Sequence, residues 1–454
     1  MATAEDNELL TRVGPGTPMG QLLRRYWIPA AMSSEVAEPG GQPLRVRLLG
    51  ENLIAYRGVD GKPALVDEAC PHRGASLYFA RNEEGPDGGC GLRCVYHGWQ
   101  FAADGTCLDM PSVAPGSRFK ERVRLPSYPV HESGGLLWAY MGPRETMTPF
   151  RNFGTDELAE GEAVVRKTIT RCNWVQAMEA NLDSSHTSWV HWFHGQEDIP
   201  DDGTDEPGYH STQMLWRFWN HDRRPRLEVQ DEWYGFRYTG LRTTPNGHTH
   251  SRVTCYVMPW AVLVATNPFG TRMSVHVPID DYTTFNYAIL NQKIVYPERF
   301  QGRQALLDPT PFRQVGDLFS SSGVIERDLT AENEYGFDRS MMGGVSFTGV
   351  PDFAAQDFMV TESMGPIVDR TKEHLTTSDL AISRMRAQLL SAARGLAAGI
   401  EPPALADGEG SRDFRTIRSA EKVLEEGEDW RRLGTDDDPV VQETLGLTAA
   451  RRTQ

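Results

Sequence analysis

The chain has 454 residues, 39% of them hydrophobic and 24% charged, which is typical of a globular protein with two or three domains. Its 46 Lys and Arg residues are outnumbered by 62 Asp and Glu residues, giving a formal net charge of −16. This charge disfavours binding to nucleic acid or to an anionic membrane surface, because both are negatively charged. No apolar run approaches the ~20 residues that a membrane-spanning helix needs, and the N-terminal residues do not resemble a signal peptide, so we expect a cytoplasmic protein.

The first part of the chain predicts a helix followed by a small β domain. Residues 1–45 are expected to hold an N-terminal helix, from the periodicity of "TPMGQLLRRYWIPAAM", and a lead-in strand. The next segments, "LRVRLLGENLIAYRG" and "KPALVDEA", alternate apolar and polar residues as strands do. Residues 46–150 are therefore expected to form an all-β domain, which ends where the composition changes after Pro143.

The second part predicts a larger domain of helices and strands over residues 151–400. Two long antiparallel strands are expected around Asn246 and Gly247, since Asn-Gly is the commonest short hairpin turn. A capped amphipathic helix is predicted in "TTSDLAISRMRAQLLSAARGLAAG". Residues 401–454 are polar and acidic and are expected to form a surface tail, in part disordered. The predicted fold is α+β, with a small all-β domain and a larger α/β domain whose central antiparallel sheet is flanked by helices.

Two short loops combine cysteine with histidine. The pieces "CPHRGASL" and "CVYHGW" give Cys70-x-His72 and Cys94-x2-His97, and six cysteines in all are too few for a disulfide framework. Two thiols and two imidazoles suit either a tetrahedral zinc ion or a [2Fe-2S] cluster with two histidines on one iron. Zinc fingers usually pair Cys with Cys and His with His, whereas each loop here supplies one of each, which favours the cluster. The other cysteines without a partner are interpreted as buried apolar residues: Cys107, Cys172 and Cys255.

Together the two loops resemble the Rieske motif, C-x-H followed by C-x2-H-G-W. The resemblance implies that Cys70 and Cys94 bind one iron and that His72 and His97 bind the other. Cys90 departs from the motif by adding a third thiol in a lengthened loop. It is interpreted as a bystander, with a competing ligand as the alternative, because "HGW" directly follows the Cys94 pair.

A second set of metal-ligand residue types occurs in "NWVQAMEANLDSSHTSWVHWFH", a segment with helical periodicity. On a regular helix, His186 lies about 60° to one side of Asp183 and His191 about 80° to the other. Asp183 would then lie between the imidazoles, which at about 140° apart could not share one metal. We therefore expect the helix to be distorted, or to end, between His186 and His191. Glu179 in the same segment is interpreted as a structural acid.

Two histidines and a carboxylate form the facial triad of non-haem Fe(II) oxygenases. The segment is similar to the mononuclear iron motif of Rieske oxygenases, D-x2-H-x4-H, which implies His186 and His191 as ligands. The resemblance also implies that Asp183 is not a ligand, and that it forms a hydrogen bond with a metal-binding histidine and links the two redox sites. The similarity of "QDFMVTESMGPIVDRTKEHL" to the phthalate dioxygenase branch implies Asp357 as the third ligand. Glu362 and Asp369 are the alternatives to Asp357 as the carboxylate ligand. His194 could be an additional ligand, but a role that does not bind the metal is preferred.

The resemblance implies the terminal oxygenase component of a Rieske system, which uses O2 and electrons to hydroxylate or O-demethylate an aromatic, carboxylated substrate. The sequence has no flavin or nicotinamide motif, so a separate reductase is expected to supply the electrons. The resemblance implies an NAD(P)H-dependent reductase of the flavin and ferredoxin type. Arg242 and Arg252, beside the hairpin turn, are the candidates for binding a substrate carboxylate. With a two-residue Asn-Gly loop they lie on opposite faces of the hairpin, and surface roles for both are the alternative.

The resemblance also implies a head-to-tail homotrimer, in which Asp183 of one subunit accepts a hydrogen bond from His97 of the partner subunit. Two other classes of function remain open at this point. One is a Rieske electron-transfer protein without oxygenase activity, which leaves the Asp-His-His segment without a role. The other is a binding module stabilised by zinc.

Overall fold

The computed structural model describes residues 2–114, 116–154, 163–192, 206–208, 216–265, 272–291, 323–324, 326–405 and 413–444. Two compact units are present. The smaller unit comprises Arg12–Arg151 and Val277–Asp281, and the larger unit comprises Met1–Thr11, Asn152–His276 and Tyr282–Gln454. The helices of the described residues are α1 (Ala4–Thr11), α2 (Pro18–Arg24), α3 (Trp174–Leu182), α4 (Trp216–His221), α5 (Phe353–Ser363), α6 (Leu380–Ala397) and α7 (Pro439–Thr444).

The smaller unit consists of antiparallel strands preceded by helix α2. Thr17 caps this helix, since its Oγ1 accepts a hydrogen bond from Gly20 N at 3.1 Å. The strands are β1 (Trp27–Met32), β2 (Leu44–Leu48), β3 (Glu51–Arg57), β4 (Pro63–Asp67), β5 (Arg81–Glu84), β6 (Cys90–Arg93), β7 (Gln100–Ala102), β8 (Cys107–Asp109), β9 (Ser127–Tyr128), β10 (Val130–Ser133) and β11 (Leu136–Tyr140). They pair in the orders β1-β11-β10, β2-β3-β4-β9 and β5-β6-β7-β8. The predicted all-β domain is confirmed.

The apolar core of the smaller unit includes both cysteines of the paired loops. Cys70 and Cys94 belong to one buried cluster with Trp99 and Phe101. Cys107 is part of the same cluster, which confirms its interpretation as a buried apolar residue. The two loops are therefore anchored to a packed core, and their thiols are shielded from water.

The larger unit is built on a nine-stranded sheet in the order β13-β14-β15-β16-β17-β18-β12-β19, with β20 beside β15. Its strands are β12 (Ala163–Thr170), β13 (Arg226–Glu232), β14 (Gly235–Thr243), β15 (Thr249–Val257), β16 (Ala261–Leu263), β17 (Arg272–Pro278), β18 (Thr284–Asn291), β19 (Gly323–Val324) and β20 (Ala420–Val423). Neighbouring strands from β13 to β17 pair antiparallel, whereas β12 and β19 are parallel. The predicted central antiparallel sheet is confirmed. Cys172 and Cys255 are buried in this unit, as expected.

The predicted amphipathic helix near residue 380 is also present. It is α6, and the chain leaves it just before Gly399, which has φ +81°. A positive φ suits glycine, because it has no Cβ to clash with the backbone. Neither α6 nor any other helix among the described residues combines the length and the apolar character required to cross a lipid bilayer.

The loop between β14 and β15 differs from the prediction. Thr244 N donates to the His248 carbonyl at 2.9 Å, which closes a three-residue loop over 245–247. Gly247, the last residue of this loop, has φ +85°, a left-handed conformation that is common at this position of longer hairpin loops. The predicted two-residue loop is therefore wrong, and the pairing of the two strands moves by one residue.

This change of register places the two candidate arginines on the same face of the sheet. Arg242 pairs with His250, and Arg252 pairs with Gly240. Residues two positions apart on a strand share a face, and so do directly paired residues. The prediction that Arg242 and Arg252 lie on opposite faces is therefore wrong.

The C-terminal segment is part of the larger unit, which corrects the expectation of a surface tail for residues 413–444. Strand β20 pairs antiparallel with β15, and all four of its residues are buried. Trp430 and Leu433 pack against Val253 of the central sheet. The polar composition is misleading here, because buried charges can be paired: Lys422 Nζ lies 2.6 Å from Glu428 Oε1.

Helix α3 is fixed within the larger unit by a buried ionic network around Glu179. Its carboxylate accepts hydrogen bonds from Arg370 Nη2 at 3.2 Å and from Arg386 Nε at 2.6 Å. Arg386 also pairs with Glu373 at 2.5 Å, and Arg370 donates to Asn7 Oδ1 at 3.0 Å. Burial raises the pKa of Glu179, but the two guanidinium groups outweigh it and hold the pKa below its ordinary value. These contacts support the interpretation of Glu179 as a structural acid.

Replacing Glu179 by glutamine is expected to lower the free energy of unfolding by about 3–5 kcal/mol at neutral pH, because the buried Arg370 loses its counter-charge and Arg386 retains only Glu373. The carboxylate stabilises the fold fully above its unfolded pKa of about 4.3 and loses this effect as the pH falls through the lower folded pKa. The difference between wild type and variant should therefore shrink in acid.

Urea unfolding at several pH values measures this effect. The matched control is Glu332→Gln, which removes a partner of Arg171 at the exposed surface, where an ion pair contributes little. Equal unfolding free energies for Glu179→Gln and Glu332→Gln at neutral pH would contradict the prediction.

Candidate metal centres

Two loops of the smaller unit present the cysteine and histidine side chains, and both fold in the same way. After β4, Gly74 N donates to the Cys70 carbonyl at 2.8 Å, and after β6, Gly98 N donates to the Cys94 carbonyl at 3.0 Å. Both glycines have φ +77°, which other residues rarely adopt. At Gly98 a Cβ would also lie 2.7 Å from Pro111 Cγ. The two loops therefore contain turns of the same conformation, and each turn supplies one thiol and one imidazole.

The four side chains divide into a thiol pair and an imidazole pair. The rings of His72 and His97 have centroids 4.4 Å apart, and Trp99 stacks on His72 at 4.3 Å. The thiols of Cys70 and Cys94 are hydrogen-bonded to each other, and burial is the main cause that raises the pKa of Cys70 to about 11. Such thiols become thiolates only when a cation binds them. His97 Nδ1 is buried and has no hydrogen-bond partner among the described residues, as expected of a metal-binding atom.

A single tetrahedral ion does not fit these four side chains. Among the described residues, one group of three possible ligand atoms lies within 4.8 Å of one another, and it belongs to the larger unit. No three ligand atoms of these two loops are that close together. The ligands of one zinc ion would all lie within this distance, because each is about 2.0–2.3 Å from the metal. A [2Fe-2S] cluster takes the thiols on one iron and the imidazoles on the other, which fits the two pairs. Cys90 is half-buried at the start of β6, and its bystander role stays a prediction.

In the larger unit, helix α3 ends before both histidines of the predicted iron motif. The helix is capped by Asn173, whose side chain accepts from Val175 N at 3.2 Å. Asp183 follows its last residue with φ −87° and ψ 111°, and His186 begins a short 3-10 turn. The chain between His186 and His191 is not a regular helix, as expected, but the helix already ends at Leu182, earlier than predicted. The prediction that Asp183 lies between the two imidazoles on one helix is also wrong, because neither histidine belongs to α3.

His186, His191 and Asp357 come together in the larger unit, and their ligand atoms all lie within 4.8 Å of one another. The Nε2 atoms of His186 and His191 lie 3.7 Å and 3.2 Å from Asp357 Oδ1. Asp357 is on α5, which brings a carboxylate to the two histidines from far downstream in the sequence. Two imidazoles and one carboxylate are the donor set of a non-haem Fe(II) site. The three residues fit a mononuclear iron ion.

Hydrogen bonds at Nδ1 orient both imidazoles. His186 Nδ1 lies 2.6 Å from the Asp183 carbonyl oxygen, and His191 Nδ1 lies 2.9 Å from Gln356 Oε1. Both partners are acceptors, so each Nδ1 carries the proton and each Nε2 offers its lone pair beside Asp357. Burial lowers the pKa of His186 and so favours the neutral imidazole that binds metals.

Gln356 is a functional residue that reasoning from the sequence missed. It is fully buried, and its Nε2 donates to the Val350 carbonyl at 2.9 Å, which directs Oε1 to His191. Phe353, earlier on α5, stacks on the His191 ring at 3.7 Å. The one clue in the sequence is that Gln356 directly precedes Asp357. That position does not reveal a buried glutamine, because most glutamines lie at the surface.

The alternative ligands lie elsewhere. Glu362 accepts hydrogen bonds from Arg327 Nη2 and from Tyr335 OH, each at 2.8 Å. Asp369 caps a short 3-10 turn near the surface. Neither carboxylate joins the group of three ligand atoms found in the described part of the chain. His194 lies outside the described residues.

Asp183 shapes the turn that carries His186. Its Oδ1 accepts from Ser185 N at 2.6 Å and from His186 N at 3.2 Å. Its carbonyl oxygen, and not its carboxylate, bonds the ring of His186. Among the described residues, no hydrogen bond to Asp183 Oδ2 is found. The predicted link from Asp183 to a second redox site stays a prediction.

The two arginines predicted to bind substrate have different surroundings. Arg242 is 1% exposed, and its Nη2 donates to the Ser184 carbonyl at 2.5 Å. Arg252 Nε donates to the Ala265 carbonyl at 3.2 Å, and its Cζ lies 5.0 Å from the centre of the Trp219 ring. No hydrogen bond donated by the Nη atoms of Arg252 is found in the described part of the chain. Arg242 is thus hydrogen-bonded to the segment before His186, whereas the Nη atoms of Arg252 are not hydrogen-bonded to any described residue.

Comparisons with known proteins agree with both centres. Residues 26–129 match the family model of the Rieske [2Fe-2S] domain, and residues 139–450 match the model described as LigXa C-terminal domain like. The chain is 36% identical over 436 residues to the phthalate 4,5-dioxygenase oxygenase subunit of Pseudomonas putida, with 95% of this chain and 94% of that protein covered. It is 31% identical over 410 residues to the 5,5'-dehydrodivanillate O-demethylase oxygenase subunit of a Sphingobium species, with 89% and 84% covered.

A solved structure has the same fold. The structure of Pseudomonas putida CBB5 NdmA with caffeine has a TM-score of 0.54 at 18% identity, covering 91% of this chain and 100% of that one. An electron-transfer protein or a zinc-stabilised module would not account for the match over residues 139–450. The chain therefore belongs to the Rieske oxygenases, as the terminal oxygenase component of a system with a separate electron donor, and it joins a Rieske [2Fe-2S] domain to a catalytic domain of the LigXa type.

Proposed function

We propose that this oxygenase hydroxylates or O-demethylates an aromatic acid at a mononuclear iron ion. The observation that carries the proposal is the convergence of two imidazole Nε2 atoms on one carboxylate oxygen, at 3.7 Å and 3.2 Å. The iron ligands are His186, His191 and Asp357. The cluster ligands are Cys70, His72, Cys94 and His97.

A facial triad leaves coordination positions open, so the bound iron supplies activation of O2 beside an organic substrate. The protein fixes the ligand atoms for this purpose. The Asp183 carbonyl and Gln356 Oε1 accept hydrogen bonds from the Nδ1 atoms of His186 and His191, which directs each Nε2 towards Asp357 and the metal. Phe353 covers one face of His191 and shields that ligand from water.

Electrons are proposed to come from an NAD(P)H-dependent reductase of the flavin and ferredoxin type. We further propose a head-to-tail homotrimer in which Asp183 accepts a hydrogen bond from His97 of the partner subunit. The hydrogen bonds of Asp183 support this role. Its Oδ1 accepts from the backbone amides of Ser185 and His186, whereas no hydrogen bond to its Oδ2 is found among the described residues. The second oxygen is thus available to another donor.

The substrate is proposed to be an aromatic carboxylate. By their names, the two relatives described above act on phthalate and on dehydrodivanillate. Arg252 is proposed to bind the carboxylate through its two Nη atoms, in the bidentate geometry that guanidinium groups favour. Arg242 is not carried forward in this role, because its guanidinium already bonds Ser184.

Product analysis in single-turnover experiments tests this proposal without the reductase. Chemically reduced protein is mixed with O2 and with matched pairs of compounds, such as 3-methoxybenzoate and its methyl ester. Hydroxylated product or formaldehyde is expected from the acid and much less from the ester, and Arg252→Met should raise the acid concentration that gives half-maximal product by about tenfold or more. Equal turnover of acid and ester would contradict the carboxylate preference. No product from any aromatic acid, with both metal centres loaded, would contradict the proposed reaction.

A further inference from the structure

One face of strand β14 lies against the segment that carries Asp183 and His186. Tyr238 OH donates to the Leu182 carbonyl at 2.8 Å. Two positions on, Gly240 approaches so closely that a Cβ there would lie 2.6 Å from Ser184 Oγ. Two positions further, Arg242 bonds the same serine. Alternate residues of a strand share a face, so Tyr238, Gly240 and Arg242 all contact the segment before His186 from the same face of β14.

Arg242 makes the strongest of these contacts and reaches both sides of His186. Its Nη2 donates to the Ser184 carbonyl at 2.5 Å and to Thr187 Oγ1 at 3.4 Å, and its Nη1 donates to Ser184 Oγ at 3.3 Å. Burial lowers the pKa of Arg242 to about 10, so the guanidinium is charged at neutral pH. A buried charge with several donors in a rigid plane can fix the backbone on either side of the iron-binding histidine.

A buried carboxylate on the C-terminal strand β20 lies near this buried arginine through His250. Glu421 is fully buried and is the partner of Arg252 across β15 and β20. Its Oε1 lies 3.0 Å from Nε2 of His250, which in turn pairs with Arg242 across β14 and β15. Glu421 is also the first of the groups that raise the pKa of Arg242 and so favour its charged form. The buried carboxylate of Glu421 thus lies on the same sheet face as the guanidinium groups of Arg242 and Arg252.

We propose that Arg242 is a positioning residue of the iron site, and that Glu421 supplies the counter-charge that keeps Arg242 buried against the segment carrying His186. The inference rests on the proposed role of His186 as an iron ligand. It gives the C-terminal segment a function in the catalytic unit, and it replaces the predicted contact of Arg242 with substrate.

The test measures iron affinity and local order in the full-length holoprotein. Competition with an Fe(II) chelator gives the affinity of the mononuclear site, and hydrogen exchange gives the protection of the backbone amides over residues 184–188. Arg242→Met is expected to weaken iron binding by about 10- to 100-fold and to speed exchange in this segment, with the cluster spectrum unchanged. Arg242→Lys should recover part of the affinity, and Glu421→Gln should weaken iron binding in the same direction. The controls are Arg226→Met and Glu426→Gln, exposed residues of the same sheet and of the same C-terminal segment, which should bind iron as wild type does.

Several outcomes would overturn the inference. Wild-type iron affinity in Arg242→Met, with a raised KM for the aromatic acid, would return Arg242 to substrate binding. Wild-type affinity and exchange in both Arg242→Lys and Glu421→Gln would also overturn it, and these two variants decide the matter if Arg242→Met does not fold. Absence of iron from the wild-type site would instead refute the proposed function, and so the two failures are distinguishable.

Discussion

Replacing Asp357 by alanine is expected to release the mononuclear iron and to abolish product formation, while the [2Fe-2S] cluster keeps its absorption and EPR signals. Asp357 is the carboxylate of the three-residue group that the structure brings together in the described part of the chain. Without it, two neutral imidazoles remain, and they lack the negative charge that holds Fe(II). The cluster should persist because its proposed ligands belong to the other compact unit.

Iron and sulfide analysis of the purified variant measures this effect. The iron content should fall from about three to about two per chain, with about two sulfides retained. Asp369→Ala is the matched control, since it removes an exposed acid of the same region that was an alternative ligand. Retention of the third iron in Asp357→Ala, or its loss in Asp369→Ala, would show that the carboxylate is assigned wrongly.

Replacing Asp183 by asparagine is expected to leave both metal centres loaded and to reduce turnover by about 100-fold or more. Asparagine keeps a side-chain oxygen that can accept from the Ser185 and His186 amides, so the turn should be preserved. What it removes is the negative charge with which Asp183 is proposed to accept a hydrogen bond from His97 of the partner subunit. Electron transfer between the two centres should therefore slow.

Rapid mixing of the reduced, substrate-loaded variant with O2 follows this step directly. Cluster oxidation should be much slower in Asp183→Asn than in wild type. Asp338→Asn is the control, because Asp338 caps a surface turn in the same manner, by accepting from Ser340 N at 2.8 Å. Cluster oxidation and product yield as in wild type would rule out the bridging role of Asp183. A fully active monomer would rule out the trimer.

The smaller centre could be predicted from the sequence because its ligands are local. Each loop places a cysteine, a histidine and a glycine within five residues, and the glycine allows the turn that directs both side chains. The two turns therefore needed no knowledge of distant contacts. The structure adds the pairing of thiol with thiol and imidazole with imidazole, which distinguishes a cluster from a single ion.

The larger centre could be predicted only in part, because it depends on contacts between distant residues. The angles on a regular helix correctly showed that His186 and His191 cannot share a metal within one helix. They did not show that the helix ends at Leu182, because the apolar pattern continues past that point. Asp357 was found only through the resemblance, and Gln356, 165 positions after His191, was missed.

The hairpin and the C-terminal strand show two further limits of sequence reasoning. The Asn-Gly signal located the turn correctly, but one extra loop residue changed the register and moved an arginine to the other face. The acidic composition of the C-terminal segment suggested a surface tail. Glu421 is nevertheless buried, and the positively charged Arg252 that it pairs with lies on β15, far away in the sequence. Composition does not reveal such partners.

Two different iron centres in one chain underlie all the roles proposed for this protein. Analysis of iron, zinc and acid-labile sulfide in the purified protein, with EPR of the reduced form, tests this directly. The prediction is a red-brown protein with about three irons and two sulfides per chain, a Rieske EPR signal and no stoichiometric zinc. Stoichiometric zinc without sulfide, or two irons without a third, would contradict the account.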